Sequence, residues 1–535
     1  MAGEATFSTD LLDGLTPEQR EAVMSPARRL LVRASAGSGK THVLTLRLLR
    51  RIASGELDAD QVLVMTFTRK AGDELRRRLA RAGVRDVRAG TFHRAAMTIV
   101  NQYREDQHLR PLVIEPQRRR LVSALAVQLR EAGESVEEWQ VPRLEQEIGW
   151  ALGQGYNGTA YAKNARRLHR DPPLPLAHFA EALDRYVGLC RSRGVLDFDL
   201  LLGEAITLLR DEPAVRASFR HRTRALSVDE TQDMNPLQFA LLREMAGEDP
   251  DLFCVGDPNQ SIYGFNGAAP RLIEEILRTW PDTLVLDLTR NHRSTAHIVE
   301  VANTLLEDGA AGIEPAKDDG EIPMVRRYDS DEDEARHVAA WLAATHRAQS
   351  PWRTMAVLAR TNAQLDVVAA QLDAAAIPHK RSGLEHAPAS DLAGGDRRLD
   401  DDHADAVTLS TIHRAKGLEF RHVATIGWAE GQLPHYNATS ASDLAEERRL
   451  AYVALTRTEE TLLITWNRGR NDPRYPDRSP SRFLAPVEAA IERIARRNAP
   501  LEGDARRARL AAIRAELEAS PALAWPDDGR HDASR

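Results

Sequence analysis

Short apolar runs alternate along this chain with stretches in which apolar residues recur at helical spacing. One set of runs, at residues 30–34, 62–67, 87–91, 225–228 and 252–255, predicts the strands of a first sheet. A second set, at 284–288, 355–359, 407–410, 423–426 and 462–465, predicts another. Strands separated by helical patterns imply crossover connections, hence an α/β protein with parallel sheets. From about residue 94 to 190 the pattern turns charged, helical and strand-free, which predicts a helical insertion within the first α/β unit. The polar stretch 382–406, with Gly394-Gly395 and the acidic Asp400-Asp401-Asp402, reads as a linker, and the tail from about 499 as helix followed by disorder. The expected organisation is a first domain over 1–94 and 190–280, a helical subdomain over 95–189, a second domain over 281–498 and a tail over 499–535.

The junction between the first predicted strand and its helix reads Ala34-Ser35-Ala36-Gly37-Ser38-Gly39-Lys40-Thr41. Small residues there let the backbone curl so that the N–H groups of Ala36, Gly37, Ser38 and Gly39 point at a phosphate, backed by the helix N-terminus. Lys40 would then neutralise the β- and γ-phosphates of a bound nucleotide, and the Thr41 hydroxyl would take a place on Mg²⁺. Composition sharpens this reading. Of 72 Lys and Arg residues only six are lysine, and Lys40, Lys70 and Lys416 among them fall inside motifs. A phosphate-binding loop needs a compact ammonium, which a guanidinium does not imitate.

Two further strands end in polar chemistry. Ala225-Leu226-Ser227-Val228 runs into Asp229-Glu230, where Asp229 can bind Mg²⁺ and Glu230 can polarise an attacking water. Phe253-Cys254-Val255-Gly256 runs into Asp257-Pro258-Asn259-Gln260, placing Gln260 to sense a γ-phosphate, with Tyr263 and Phe265 following as stacking groups.

At 535 residues the chain exceeds one domain, and 42% hydrophobic with 28% charged residues describes a globular protein. No apolar run is long enough to span a membrane, and the N-terminal residues lack the apolar core of a secretory signal, so a cytoplasmic protein is expected. Cys190 and Cys254 have no metal-ligand spacing and read as reduced, buried thiols. With a net charge of −7, nucleic-acid contact has to come from a local basic patch.

These motifs, taken with others in the same order, resemble those of a superfamily 1 helicase of the UvrD/Rep/PcrA group, from about Leu15 to Trp466. Leu15-Thr16-Pro17-Glu18-Gln19 resembles an adenine-reading motif, with Gln19 as reader. Thr66-Phe67-Thr68-Arg69-Lys70-Ala71 and Thr91-Phe92-His93 resemble strand-contacting motifs, and Leu196-Asp197-Phe198-Asp199 matches the segment ahead of the Mg²⁺ motif. Asn291-His292-Arg293-Ser294, Ala359-Arg360-Thr361-Asn362, Thr411-Ile412-His413-Arg414-Ala415-Lys416-Gly417-Leu418-Glu419-Phe420 and Glu446-Glu447-Arg448-Arg449-Leu450-Ala451-Tyr452-Val453-Ala454-Leu455-Thr456-Arg457 complete the set.

The resemblance implies two RecA-like P-loop domains with ATP between them, Arg293 and Arg457 reaching over as arginine fingers, His292 stacking on adenine and Glu419 holding the ribose. It also implies single-stranded DNA on Phe67, Thr91, His93, Tyr263, Phe265 and His413, and 3′ to 5′ unwinding at single-strand/duplex junctions in DNA repair or replication. Two departures bear on performance. Phe265 and Asn266 stand where the family often has Trp and Arg, and only the polar stretch 382–406 stands where relatives carry a helical insertion. A compact monomer that strips proteins from single strands with little unwinding is the alternative. A binding subunit without turnover fits less well, because the hydrolytic set is whole.

Overall fold

The computed structural model describes residues 12–168, 170–264, 267–268, 271–307, 311–382, 404–469 and 477–499. Two six-stranded sheets organise it, and every strand pairing within them is parallel. The first sheet runs, in spatial order, Arg88–Thr91, Val62–Thr66, Ala225–Val228, Asp251–Gly256, Arg29–Ala34 and Leu284–Leu288. Successive side chains leave a strand on opposite faces. Leu31 and Met65 therefore join the core on one side, while Leu30, Val32 and Val64 join the core on the other. Both faces are covered by helices, which is why these strands read as unbroken apolar runs.

The second sheet is ordered Met324–Tyr328, Thr458–Asn467, Phe420–Thr425, Met355–Ala359, Val407–Thr411 and His379–Arg381. Ala356 and Leu358 face one core and Met355, Val357 and Ala359 the other. Parallel α/β layers with helices on both faces match the expected fold class.

Three expectations change. Leu284–Leu288 is a strand, but it pairs with Arg29–Ala34 and so closes the first sheet rather than opening the second. The helical insertion is not strand-free, because Val113–Ile114 pairs with Val195–Leu196. The helix Phe92–Asp106 belongs to the first sheet's core through Phe92, Ala96 and Ile99, so the insertion proper starts beyond it. Its helices Arg118–Glu131, Val141–Gly153, Gly158–Ala165 and Leu176–Arg193 enclose a separate core around Leu125, Leu144, Ile148 and Phe179. Residues 383–403 of the expected linker and 500–535 of the tail lie outside the described residues, as do Phe265 and Asn266. Among the described residues no helix is long and apolar enough to cross a membrane, and both cysteines are buried and unbridged.

Candidate nucleotide cleft and nucleic-acid face

The strand Arg29–Ala34 delivers the chain to a tight loop before the helix Lys40–Ala53. Gly37 and Gly39 sit at φ +70° and +81°, a region that side chains with a Cβ rarely adopt. Space forbids a side chain at Gly37 as well, since a Cβ would lie 2.6 Å from the Asn291 amide nitrogen. Asn291 Nδ2 donates to Ala36 O at 2.8 Å and His292 N–H to Gly37 O at 2.9 Å, so the loop is held from the segment after the last strand. On its other flank Gln19 Nε2 donates to Ser38 O at 2.8 Å. Gln19 is itself fixed by a capping box with Thr16 at the start of the helix Pro17–Met24. Lys40 Nζ makes a long contact, 3.4 Å, with Ala34 O, and Thr41 is half-buried beside it.

Ala225–Val228 carries Asp229 and Glu230 into this cleft. Glu230 adopts φ +53°, ψ +44°, a left-handed backbone costing about 1–2 kcal/mol for a residue with a side chain. Such strain collects at functional positions. Burial and the neighbouring Glu230 hold the Asp229 carboxyl above its ordinary range. Burial also opposes ionisation of Glu230, but Lys40, Lys416, Arg457 and the Gln232 amide, 2.5 Å away, outweigh it and hold that carboxyl low.

The second domain answers with cations. Arg457, 2% exposed, donates to Gln260 Oε1 at 3.1 Å, while Val453 O and Leu418 O fix the rest of its fork at 3.2 Å. Burial pushes its guanidinium down to about 9, which leaves it charged at neutral pH. Arg293 donates to Glu419 Oε2 at 2.9 Å and to Thr456 O at 3.0 Å. Glu419, expected to hold a ribose, is an exposed carboxylate engaged by Arg293. His292 is exposed beside the loop.

A separate face carries aromatic rings. Phe67 stacks on Tyr263 with centroids 4.9 Å apart, and Tyr263 lies 6.4 Å from the His413 ring of the second domain. Its hydroxyl donates to His413 O at 3.3 Å. Nearby, Arg69, Arg76 and Arg94 line a cavity of about 180 Å³ with Gly90, Thr91 and Asp73, whose carboxylate pairs with Arg76, so the patch is basic by three arginines against one aspartate. Thr91 is buried and its hydroxyl caps the helix Phe92–Asp106, accepting from Arg94 N–H at 3.3 Å. His93 does not join the row of rings; it meets Phe198 edge-on at 5.4 Å.

Residues 15–281 match the UvrD/REP helicase N-terminal domain, and residues 286–386 with 390–469 match the UvrD-like helicase C-terminal domain. The chain belongs to the UvrD/Rep family of ATP-dependent DNA helicases. It is 32% identical to the ATP-dependent DNA helicase UvrD2 of Mycobacterium tuberculosis, covering 95% of this chain and 86% of that protein. Against UvrD1 of the same organism identity is 34%, over 75% of this chain and 54% of the relative. DNA helicase II of Escherichia coli is 30% identical over 70% and 52%. The UvrD2 match runs over 612 residues, more than the 535 of this chain, so that relative carries segments without counterpart here.

In this UvrD-family helicase the structure adds residues to the cleft that sequence reasoning left out. Lys416 Nζ reaches both oxygens of Asp233 and, at 2.5 Å, Gln260 O. Asn291 clamps the phosphate loop, as described. Scarcity and a place in the 411–420 motif singled out Lys416 without giving its partner; for Asn291 and Asp233 only long-range contact reveals the role.

Proposed function

We propose that this helicase hydrolyses ATP in the cleft between its two domains and uses the closure to step 3′ to 5′ along single-stranded DNA, unwinding duplex at a junction. The observation that carries the reading is Arg457 of the second domain hydrogen-bonded to Gln260 of the first, beside Lys40 and the Asp229–Glu230 pair. The N–H groups of Ala36, Gly37, Ser38 and Gly39 cradle the phosphates, Gln19 and His292 flank the base, and Glu419 turns to the ribose when Arg293 moves to phosphate. Glu230 takes up the proton of the attacking water, and Gln260 relays the γ-phosphate state to Tyr263, three residues on. Arg293 and Arg457 stabilise the developing charge, worth about 10³ to 10⁵ in rate for one such arginine.

Mg²⁺ suits the donors present. The Thr41 hydroxyl and the Asp229 carboxylate are hard oxygen ligands. When bound, the ion neutralises charge on the β- and γ-phosphate oxygens.

Phe67, Tyr263 and His413, with Phe265, offer faces on which bases stack irrespective of sequence. The basic cavity lined by Arg69, Arg76 and Arg94 takes backbone phosphate, and Thr91 and His93 act from the helix beside it. Repair or replication is the expected setting, in the cytoplasm and as a monomer. The second reading is a translocase that strips bound proteins with little unwinding, motivated by the short polar stretch 382–406 where relatives carry a helical insertion and by Phe265 and Asn266 in place of Trp and Arg. ATP hydrolysis with and without single-stranded DNA, beside unwinding of a 3′-tailed duplex, tests both. Stimulation with unwinding supports the helicase, stimulation alone the stripping translocase, and no stimulation overturns the DNA motor.

A further inference from the structure

The neck between the helical insertion and the first domain combines a short ribbon with packing along the helix Val141–Gly153, after which Gln154 Nε2 donates to Gly267 O at 3.2 Å. Val113–Ile114 and Val195–Leu196, two residues each, pair there, with Glu115 N–H donating to Leu196 O at 2.9 Å. So short a ribbon fixes an orientation weakly. Directly beyond it stands an ion cluster centred on a buried aspartate and closed by two half-buried partners. Asp197, 1% exposed, accepts from Arg118 Nε at 2.8 Å and from the Tyr186 hydroxyl at 2.7 Å, and Arg118 also grips Asp199. Arg118 and Tyr186 stand on the insertion helices Arg118–Glu131 and Leu176–Arg193. Asp197 and Asp199 open the helix Phe198–Asp211, which packs into the first sheet's core. A third insertion helix makes room for the guanidinium, since a Cβ on Gly149 would lie 2.2 Å from Arg118 Nη1.

Burial opposes ionisation of both carboxyls. Arg118, the Leu200 N–H and the Tyr186 hydroxyl overcome it at Asp197, which is held below its ordinary value, whereas Asp199 stays above. Between the two lies Phe198, 6% exposed, the ring that His93 meets edge-on. The contact chain thus runs from the insertion through Arg118, Asp197 and Phe198 to His93.

We propose that this neck is a latch in which Arg118 and Tyr186, gripping Asp197, set the orientation of the helical insertion and hold His93 in place for single-stranded DNA. Asp197 is then a positioning residue. The inference rests on reading this face as the DNA-binding one.

Asp197→Asn isolates the charge. It keeps the volume, and Asn caps the helix about as well as Asp, whose Oδ1 accepts from Leu200 N–H at 2.8 Å. The single-stranded DNA concentration giving half-maximal ATPase stimulation is expected to rise about tenfold, with half-saturating ATP and maximal turnover within about twofold. Tyr186→Phe, which removes one hydroxyl from the same carboxylate, shifts it in the same direction by a smaller factor. Spin labels at Glu131→Cys on the insertion and Arg85→Cys on the first domain, both exposed positions, should show a broadened distance distribution in Asp197→Asn. Unchanged half-saturation in the folded variant overturns the latch. Absence of stimulation in the wild-type protein overturns the DNA reading instead, and the label distances alone then decide, an unbroadened distribution counting against the latch.

Discussion

Lys416 of the second domain donates to both carboxylate oxygens of Asp233 in the first, at 2.7 and 2.6 Å. The side chains are 6% and 1% exposed, so the pair is desolvated, and the ammonium also lies 5.3 Å from the Tyr263 ring centroid. Burial pushes the Asp233 carboxyl up to about 7 against the pull of Lys416, while the two-oxygen contact is that of an ionised carboxylate. One cation therefore touches the hydrolytic segment, the Gln260 backbone and the aromatic face at once.

Removing one partner of such a pair costs about 3–5 kcal/mol while the other stays buried. In Lys416→Met the cleft is expected to open so that water reaches Asp233, with a larger radius of gyration and lower ATPase activity. Lys416→Met combined with Asp233→Asn removes the uncompensated charge and should restore the closed dimensions. Small-angle scattering on the wild type, both single variants and the double variant checks this, and a double variant as open as Lys416→Met would contradict it.

The Lys40 ammonium is tied to the fold by one long hydrogen bond, the 3.4 Å approach to Ala34 O. Lys40→Ala should leave the melting temperature nearly unchanged while turnover falls by about 10² to 10³ or more, the scale for losing a donor to developing charge. DNA-stimulated phosphate release is the assay. Retained activity would remove the phosphate-loop assignment.

The legibility of the sequence followed the range of each interaction. The loop at Gly37 to Thr41 and the Asp229-Glu230 strand end were visible because each is spelled out over a few consecutive residues. Central strands were visible because burial on both faces demands continuous apolar runs. The two edge strands of the second sheet were not: His379–Arg381 is three polar residues, and Met324–Tyr328 has exposed positions among half-buried ones. Leu284–Leu288 was read as a strand but given to the wrong sheet, since an apolar run fixes its conformation and not its neighbour. Lys416 and Asp233, 183 residues apart, meet only after both domains fold and close.

Arg457 is held by acceptors on three separate elements, Gln260, Val453 and Leu418, besides the adjacent Thr456 hydroxyl. A lysine has one nitrogen and cannot reproduce that fork. Both Arg457→Ala and Arg457→Lys should therefore lose about 10³ or more in turnover, with ATP still bound through the first domain. Nucleotide binding measured by fluorescence, beside steady-state hydrolysis, separates the two effects. A lysine variant with near wild-type turnover would show that charge alone suffices.

His413 supplies a pH test of the cross-domain face. Burial, then Arg360 and Lys416, pushes its imidazole down to about 3, and Tyr263 faces it from the first domain. In the unfolded chain a histidine titrates near 6.5. Between those values the unfolded state binds a proton that the folded state refuses, so stability rises with pH across that window. The contribution is complete above pH 6.5 and is lost progressively as pH falls toward 3. His413→Asn removes this titration, so the melting-temperature advantage of the wild type over the variant should shrink from pH 7.5 to pH 5. Taking the difference cancels His93, which burial pushes down to about 4 in both proteins. A constant difference across that range would mean that His413 is as easily protonated in the folded protein as in the unfolded chain, and hence that the aromatic face is wet rather than packed.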